Sequence, residues 1–137
     1  MVKLNYSVEF DDFTERHYIK KFRKAYKIKW PLTEIAISDT CARIDNMLLY
    51  RRADCINTFE EYQLVKLDFS VEGTQMSPKA SGNRCILLVD NNIRHVRVLL
   101  VYSKNDISEP NETQKWKDVI KIIMVMLQKF LTYDDML

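Results

Sequence analysis

Residues 3–10 alternate in character, with Leu4, Tyr6, Val8 and Phe10 set against Lys3, Asn5, Ser7 and Glu9. A period of two is the mark of a half-buried strand. Asp11 or Asp12 can cap a helix next, since a short acidic side chain accepts from the free amides of a first turn. Over about 13–27, Tyr18 or Ile19, Phe22, and Ala25 or Tyr26 recur at helical spacing. Trp30-Pro31 is expected to end that helix and open the next, because proline disfavours helical geometry just before itself and suits a first turn. Ile37, Cys41, Ile44 and Leu48 then mark one apolar helix face.

Residues 51–60 read as a polar connection, after which the period returns to that of a strand. Tyr62 to Val71 is the first of three strands, followed by a flexible insert from Gly73 to Gly82. Asn83 to Val89 and Ile93 to Ser103 follow, joined by the Asp90-Asn91-Asn92 turn of an antiparallel hairpin. Cys85-Ile86-Leu87-Leu88-Val89 is apolar throughout, as expected of a central strand covered on both faces. A last helix runs from Pro110-Asn111-Glu112 to about Phe130, striped by Trp116, Val119, Ile120, Ile123, Leu127 and Phe130. The expectation is one α+β domain over 1–137 with the order β-α-α-β-β-β-α. It has a strand and helical hairpin in 1–50, an antiparallel three-stranded region in 62–104, a C-terminal helix over 111–132, and helices on one sheet face.

Composition narrows the chemistry. The chain has 137 residues and only two glycines, Gly73 and Gly82, too few for a dinucleotide turn or a P-loop, so no nucleotide cofactor is expected. His17, His95, Cys41, Cys55 and Cys85 show none of the close pairs of a zinc site, so neither metal nor other cofactor is expected. The odd cysteine count and the lack of a charged-then-apolar leader point to a reducing, cytoplasmic setting. The longest apolar run, Ile122 to Leu127, falls far short of the roughly 20 residues of a membrane span. No G-x-S-x-G elbow supports a Ser/His/acid triad. Asp68 and Glu72, read as four apart on a strand, lack a sugar platform.

Charge is uneven despite a net +2. Residues 14–30 carry seven Lys/Arg against Glu15, and 79–104 carry five against Asp90. Such clusters fit either a solvated face or an anionic partner. Lys66 lies mid-strand, Arg84 opens the central strand and Lys104 ends the last. The hairpin returns Arg84 and Lys104 to one edge, with Lys66 or Lys79 closing the group, an arrangement suited to clamping a phosphodiester.

The segments "YQLVKLDF", "SGNRCILLVDN" and "HVRVLLVYSKND", following strand–helix–helix, resemble the RelE/ParE superfamily of type II toxin–antitoxin systems over about residues 3–106. The resemblance implies a metal-independent endoribonuclease cutting mRNA on the ribosome, in which a ribose 2′-hydroxyl attacks the adjacent phosphate. It makes Lys66 a candidate base or charge stabiliser, Arg84 the holder of the phosphate and Lys104 the group at the leaving oxygen. Lys20, Lys24, Lys79, Arg94 and Arg97 become RNA contacts, and the partners are an antitoxin protein, the ribosome and mRNA. Two alternatives stay open: a topoisomerase poison of the ParE branch and a non-enzymatic binding module assembled through its long C-terminal helix.

Overall fold

The computed structural model describes residues 5–104, 107 and 111–127, with side chains described as far as Ile122 in the last helix. Five strands form one mixed sheet in the order β1-β5-β4-β3-β2, where β1 is Ser7–Phe10, β2 Asp54–Phe59, β3 Tyr62–Phe69, β4 Asn83–Asp90 and β5 His95–Ser103. β1 runs parallel to β5, and the other pairs are antiparallel. The chain is therefore α+β, with one more strand than the pattern predicts. That strand, β2, lies at the sheet edge and pairs only with β3. An edge strand needs little apolar surface, which is why 51–60 reads as polar.

Asp11 caps α1 (Asp12–Thr14), its carboxylate accepting from the Phe13 amide at 2.9 Å. A π-helical turn, Glu15–Ile19, leads into α2 (Lys20–Tyr26). The break to α3 (Lys29–Ala42) comes at Lys27, which takes φ 51°. It lies upstream of the expected Trp30-Pro31, so the proline sits inside the first turn of α3, where its missing amide costs nothing. α4 (Ile44–Leu49) completes the helical layer. The expected flexible insert contains α5 (Pro78–Ser81), capped by the Ser77 hydroxyl, which accepts from the Ala80 amide at 3.2 Å. β3 ends at Phe69, which takes Glu72 out of the strand and dissolves its pairing with Asp68. α6 spans Glu112–Leu127, and the rest of the expected helix, to 132, lies outside the described residues.

Helices cover both sheet faces, not one. On the first, Ile19, Phe22, Trp30, Ile37, Cys41 and Ile44 pack on Val65, Leu67, Phe69, Cys85, Leu87, Val89, Val96, Val98 and Val101. The Phe22 and Trp30 rings stack at 4.8 Å, and Phe69 meets Trp30 edge-on at 6.2 Å. On the second, Trp116 and Ile120 of α6, with Ile107, cover Leu64, Ile86, Leu88, Leu99, Leu100 and Tyr102. Cys85 to Val89 is buried throughout, as the apolar run predicts.

One irregularity decides what the second face contains. Ile86 pairs with Leu100 but Leu87 with Val98, so Leu99 is an extra, bulged residue. Beyond a bulge the alternation of side chains is reset. Val96 and Val98 face α2–α4, whereas Leu100 and Tyr102 face α6. Thr14 ties the helical layer here, its buried hydroxyl accepting from the Val101 amide at 2.7 Å.

Candidate functional site

The bulge places Tyr102 in register with Arg84, and Arg84 in register with Asp68. Lys66 lies two residues before Asp68 on β3, on the same face. Glu112, the first residue of α6 and only 5% exposed, meets this row from above. Its Oε2 accepts from the Tyr102 hydroxyl at 2.8 Å, and the same oxygen lies 3.4 Å from Arg84 Nε and 3.9 Å from Lys66 Nζ. Asp68 Oδ1 lies 3.4 Å from Arg84 Nε on the other side. Nε is buried and hydrogen-bonds to neither carboxylate, while Nη1 donates to the Gly82 carbonyl at 3.4 Å. Burial, followed by the hydrogen bond to Glu112 and its charge, pushes the Tyr102 phenol far above its ordinary value, so it stays a donor.

Two of the three expected cations therefore meet at one carboxylate oxygen, and the group as found is balanced: Lys66 and Arg84 against Asp68 and Glu112. Lys104 does not join it. Its backbone amide donates to the Gly82 carbonyl at 3.1 Å, and its carbon chain passes over Gly82, 2.9 Å from the point a Cβ would occupy. It lines a separate groove against α2.

The expected RNA contacts divide in the same way. Arg97 is committed within the fold: Nε and Nη2 bind Asp11 Oδ1 at 3.1 and 2.9 Å, and Nη1 binds Glu9 at 3.0 Å. Arg94 lies over the Tyr6 ring at 4.3 Å and 3.9 Å from Asp45. These arginines anchor β5 to the N-terminal segment, a use that basic spacing along a chain does not reveal. Lys20, Lys24 and Lys79 are exposed.

Sequence reasoning missed Glu112, which marked only the start of the last helix; an acidic residue opening an apolar helix is common at a helix N-terminus and carries no specific signal. It also missed a line on the parallel β1–β5 pair, where Ser7 Oγ lies 2.7 Å from His95 Nδ1 and His95 Nε2 lies 3.2 Å from Glu9 Oε2. Ser7 and Glu9 are exposed and Arg97 holds the same carboxylate oxygen of Glu9, so the line binds strand to strand and encloses no substrate.

Burial raises the Cys41 thiol to about 12 and pushes Cys85 well above its ordinary value, which makes both poor nucleophiles. Among the described residues, no group of three or more His, Cys, Asp or Glu is placed to hold a metal ion, and no helix is long and apolar enough to cross a membrane. No family model matches the sequence, and comparison with the curated proteins and with the solved structures gave no match either.

Proposed function

We propose that the chain is an RNA-directed toxin of the RelE kind whose cleavage centre is the Lys66/Arg84 pair, held closed here by Glu112. One observation carries this reading: both cations address a single anionic oxygen, Glu112 Oε2, at a place where a phosphate oxygen would meet the same two groups. Arginine suits an anionic phosphoryl centre because it offers fixed, directional donors. In this reading the RNA phosphate replaces the Glu112 carboxylate and Arg84 holds it. The 2′-hydroxyl gives its proton to solvent water as it attacks phosphorus, and the bond from phosphorus to the 5′-oxygen breaks to leave a 2′,3′-cyclic phosphate. Lys66 balances the charge that develops, and the released Tyr102 hydroxyl donates a proton to the departing 5′-oxygen. Lys66 acts as a charge stabiliser rather than a base, since a carboxylate faces it. Lys104 contributes to binding instead of to the reacting atoms. An antitoxin protein is the partner this reading requires.

A second reading, a non-catalytic binding module, is favoured by the balance of two cations with two carboxylates. Expression of the wild type, Arg84→Ala and Glu112→Ala in bacterial cells, with translation rate and mRNA 5′ ends followed, separates the two. The toxin reading expects arrest with new 5′ ends from the wild type, and neither from Arg84→Ala. Arrest with intact mRNA and DNA damage overturns it in favour of topoisomerase poisoning. An identical outcome for all three proteins leaves the binding module.

A further inference from the structure

The helix α3 has apolar residues on two sides. Trp30, Ile37 and Cys41 lie on the side buried against the sheet. The other side carries Ile28, Leu32 and Ile35, which stay 81%, 57% and 60% exposed. Ile28 precedes the helix proper, but its φ of −64° and ψ of −24° are helical. The three side chains therefore follow one another at steps of four and three along one face, with the exposed Pro31 beside them. Neither core of the sheet includes them. Single exposed apolar residues are ordinary, whereas a continuous row of them marks a contact surface.

The charges at the two ends of the row select its partner. Exposed Lys27 and Lys29 flank Ile28 at one end, and exposed Asp39, one turn beyond Ile35, stands at the other. Positions 28, 32, 35 and 39 are symmetric about their midpoint. A second α3 laid antiparallel on the first, about a two-fold axis between Leu32 and Ile35, sets Leu32 of each copy on Ile35 of the other. The same operation brings Asp39 of each copy to the lysines beside Ile28 of the other, so opposite charges meet at both ends. Laid parallel, the two helices would set lysine on lysine and Asp39 on Asp39. A uniformly acidic partner would suit the lysines and be repelled by Asp39. Arg43 lies one turn past Asp39, outside the matched stretch, where its Nε donates to the Asp39 carbonyl at 3.3 Å. A groove of about 470 Å³ beside the row, bordered by Pro31, Ile35, Ser38 and Asp39, gives facing side chains room to interdigitate.

We propose that this face of α3 is a dimerisation surface, on which a second copy of the chain docks antiparallel through Ile28, Leu32 and Ile35. The contact is isologous, each copy offering the same patch. One helix on one helix makes a small interface, below about 1,200 Å² in total, the size class of weak and transient association. Because α3 packs on the sheet face opposite Lys66, Arg84 and Glu112, the dimer carries both charged rows outward. The inference does not rest on the toxin reading, since it requires neither RNA nor release of Glu112.

Sedimentation velocity of the full chain from about 10 μM to 1 mM, the range suited to a weak interface, tests it. The expected result is a monomer that passes to a dimer within that range. Leu32→Asp should weaken dimerisation about tenfold or more; its side chain is exposed, so an unchanged melting temperature serves as the control. Asp39→Lys alone, and Lys27→Asp with Lys29→Asp in one chain, should each weaken it too, because like charges then meet at both ends. Mixing these two variants should restore the dimer, since every end again pairs opposite charges. A chain that stays monomeric throughout overturns the proposal and leaves the row to an unlike partner. A dimer indifferent to Leu32→Asp overturns it by placing the interface elsewhere. Loss in the charge variants without recovery on mixing overturns the antiparallel arrangement.

Discussion

The two faces of the sheet are built on different physics. Under α2–α4 the filling is apolar side chains and stacked rings, with Phe22, Trp30 and Phe69 at its centre. Under α6 the apolar filling is interrupted by a row of charge, Asp68, Arg84 and Tyr102 in register, closed by Glu112. The first face gains its stability from area removed from water and from close packing. The second keeps ions out of water, where attraction between them is offset by the cost of desolvation. A fold does not need such a row for stability, and a hydrophobic replacement would pack as well. That contrast is what singles out the α6 face as the candidate site.

Four experiments would break or sharpen that contrast. The largest effect is expected from Trp30→Ala on the apolar face, which removes a fully buried ring stacked on Phe22. Urea denaturation should show a loss of about 3–5 kcal/mol. Glu112→Ala on the other face leaves Arg84 buried beside Asp68 alone. With Lys66 and Arg84 retaining 28% and 15% of their side-chain exposure, the loss should be about 2–3 kcal/mol, below the range for fully buried pairs. Glu112→Leu should recover part of it. A loss from Glu112→Ala as large as that from Trp30→Ala would mean that the charged row holds the fold as strongly as the aromatic core does.

The third experiment is a pH series on the apolar face. Burial moves the Cys41 thiol from 9.0 to about 12, so the unfolded chain loses this proton first. The contribution is complete below pH 9 and declines as pH rises towards 12, by about 1.4 kcal/mol per pH unit. The melting temperature should therefore fall between pH 9 and 10.5. Cys41→Ala should flatten the fall without abolishing it, because Cys85 is shifted in the same direction. An unchanged slope in Cys41→Ala would remove Cys41 as its source. The smallest effect is expected from Tyr102→Phe, which deletes the 2.8 Å hydrogen bond to Glu112 and should cost about 1–2 kcal/mol. If Arg84 and Lys66 already satisfy the carboxylate, the loss will be near zero.

Much of this architecture was legible along the chain because its signals are local. The alternation through Phe10, the acidic cap, the apolar run of the central strand and the stripe of α6 each depend on neighbours within a few residues. The missed strand β2 shows the limit of that method: an edge strand satisfies its backbone through one neighbour and carries no burial pattern. The candidate site was legible in part. Lys66 and Arg84 were singled out for being cations within strands, and they do meet. What they meet was not legible, because Glu112 lies in the next helix, and neither was the departure of Lys104 over Gly82. Arg94 and Arg97 drew notice as part of a basic segment because the groups they meet, Tyr6, Glu9, Asp11 and Asp45, are distant in sequence.

The bulge at Leu99 separates the two kinds of knowledge. Residue order predicted a strand over Ile93 to Ser103, and strict alternation would place Val96, Val98, Leu100 and Tyr102 on one face. Sheet pairing inserted one residue and turned Leu100 and Tyr102 to the other. A strand's side chains alternate by geometry, so local sequence can say which residues share a face until the register slips. Where it slips depends on partner strands and packed helices, and that is a property of the folded chain alone.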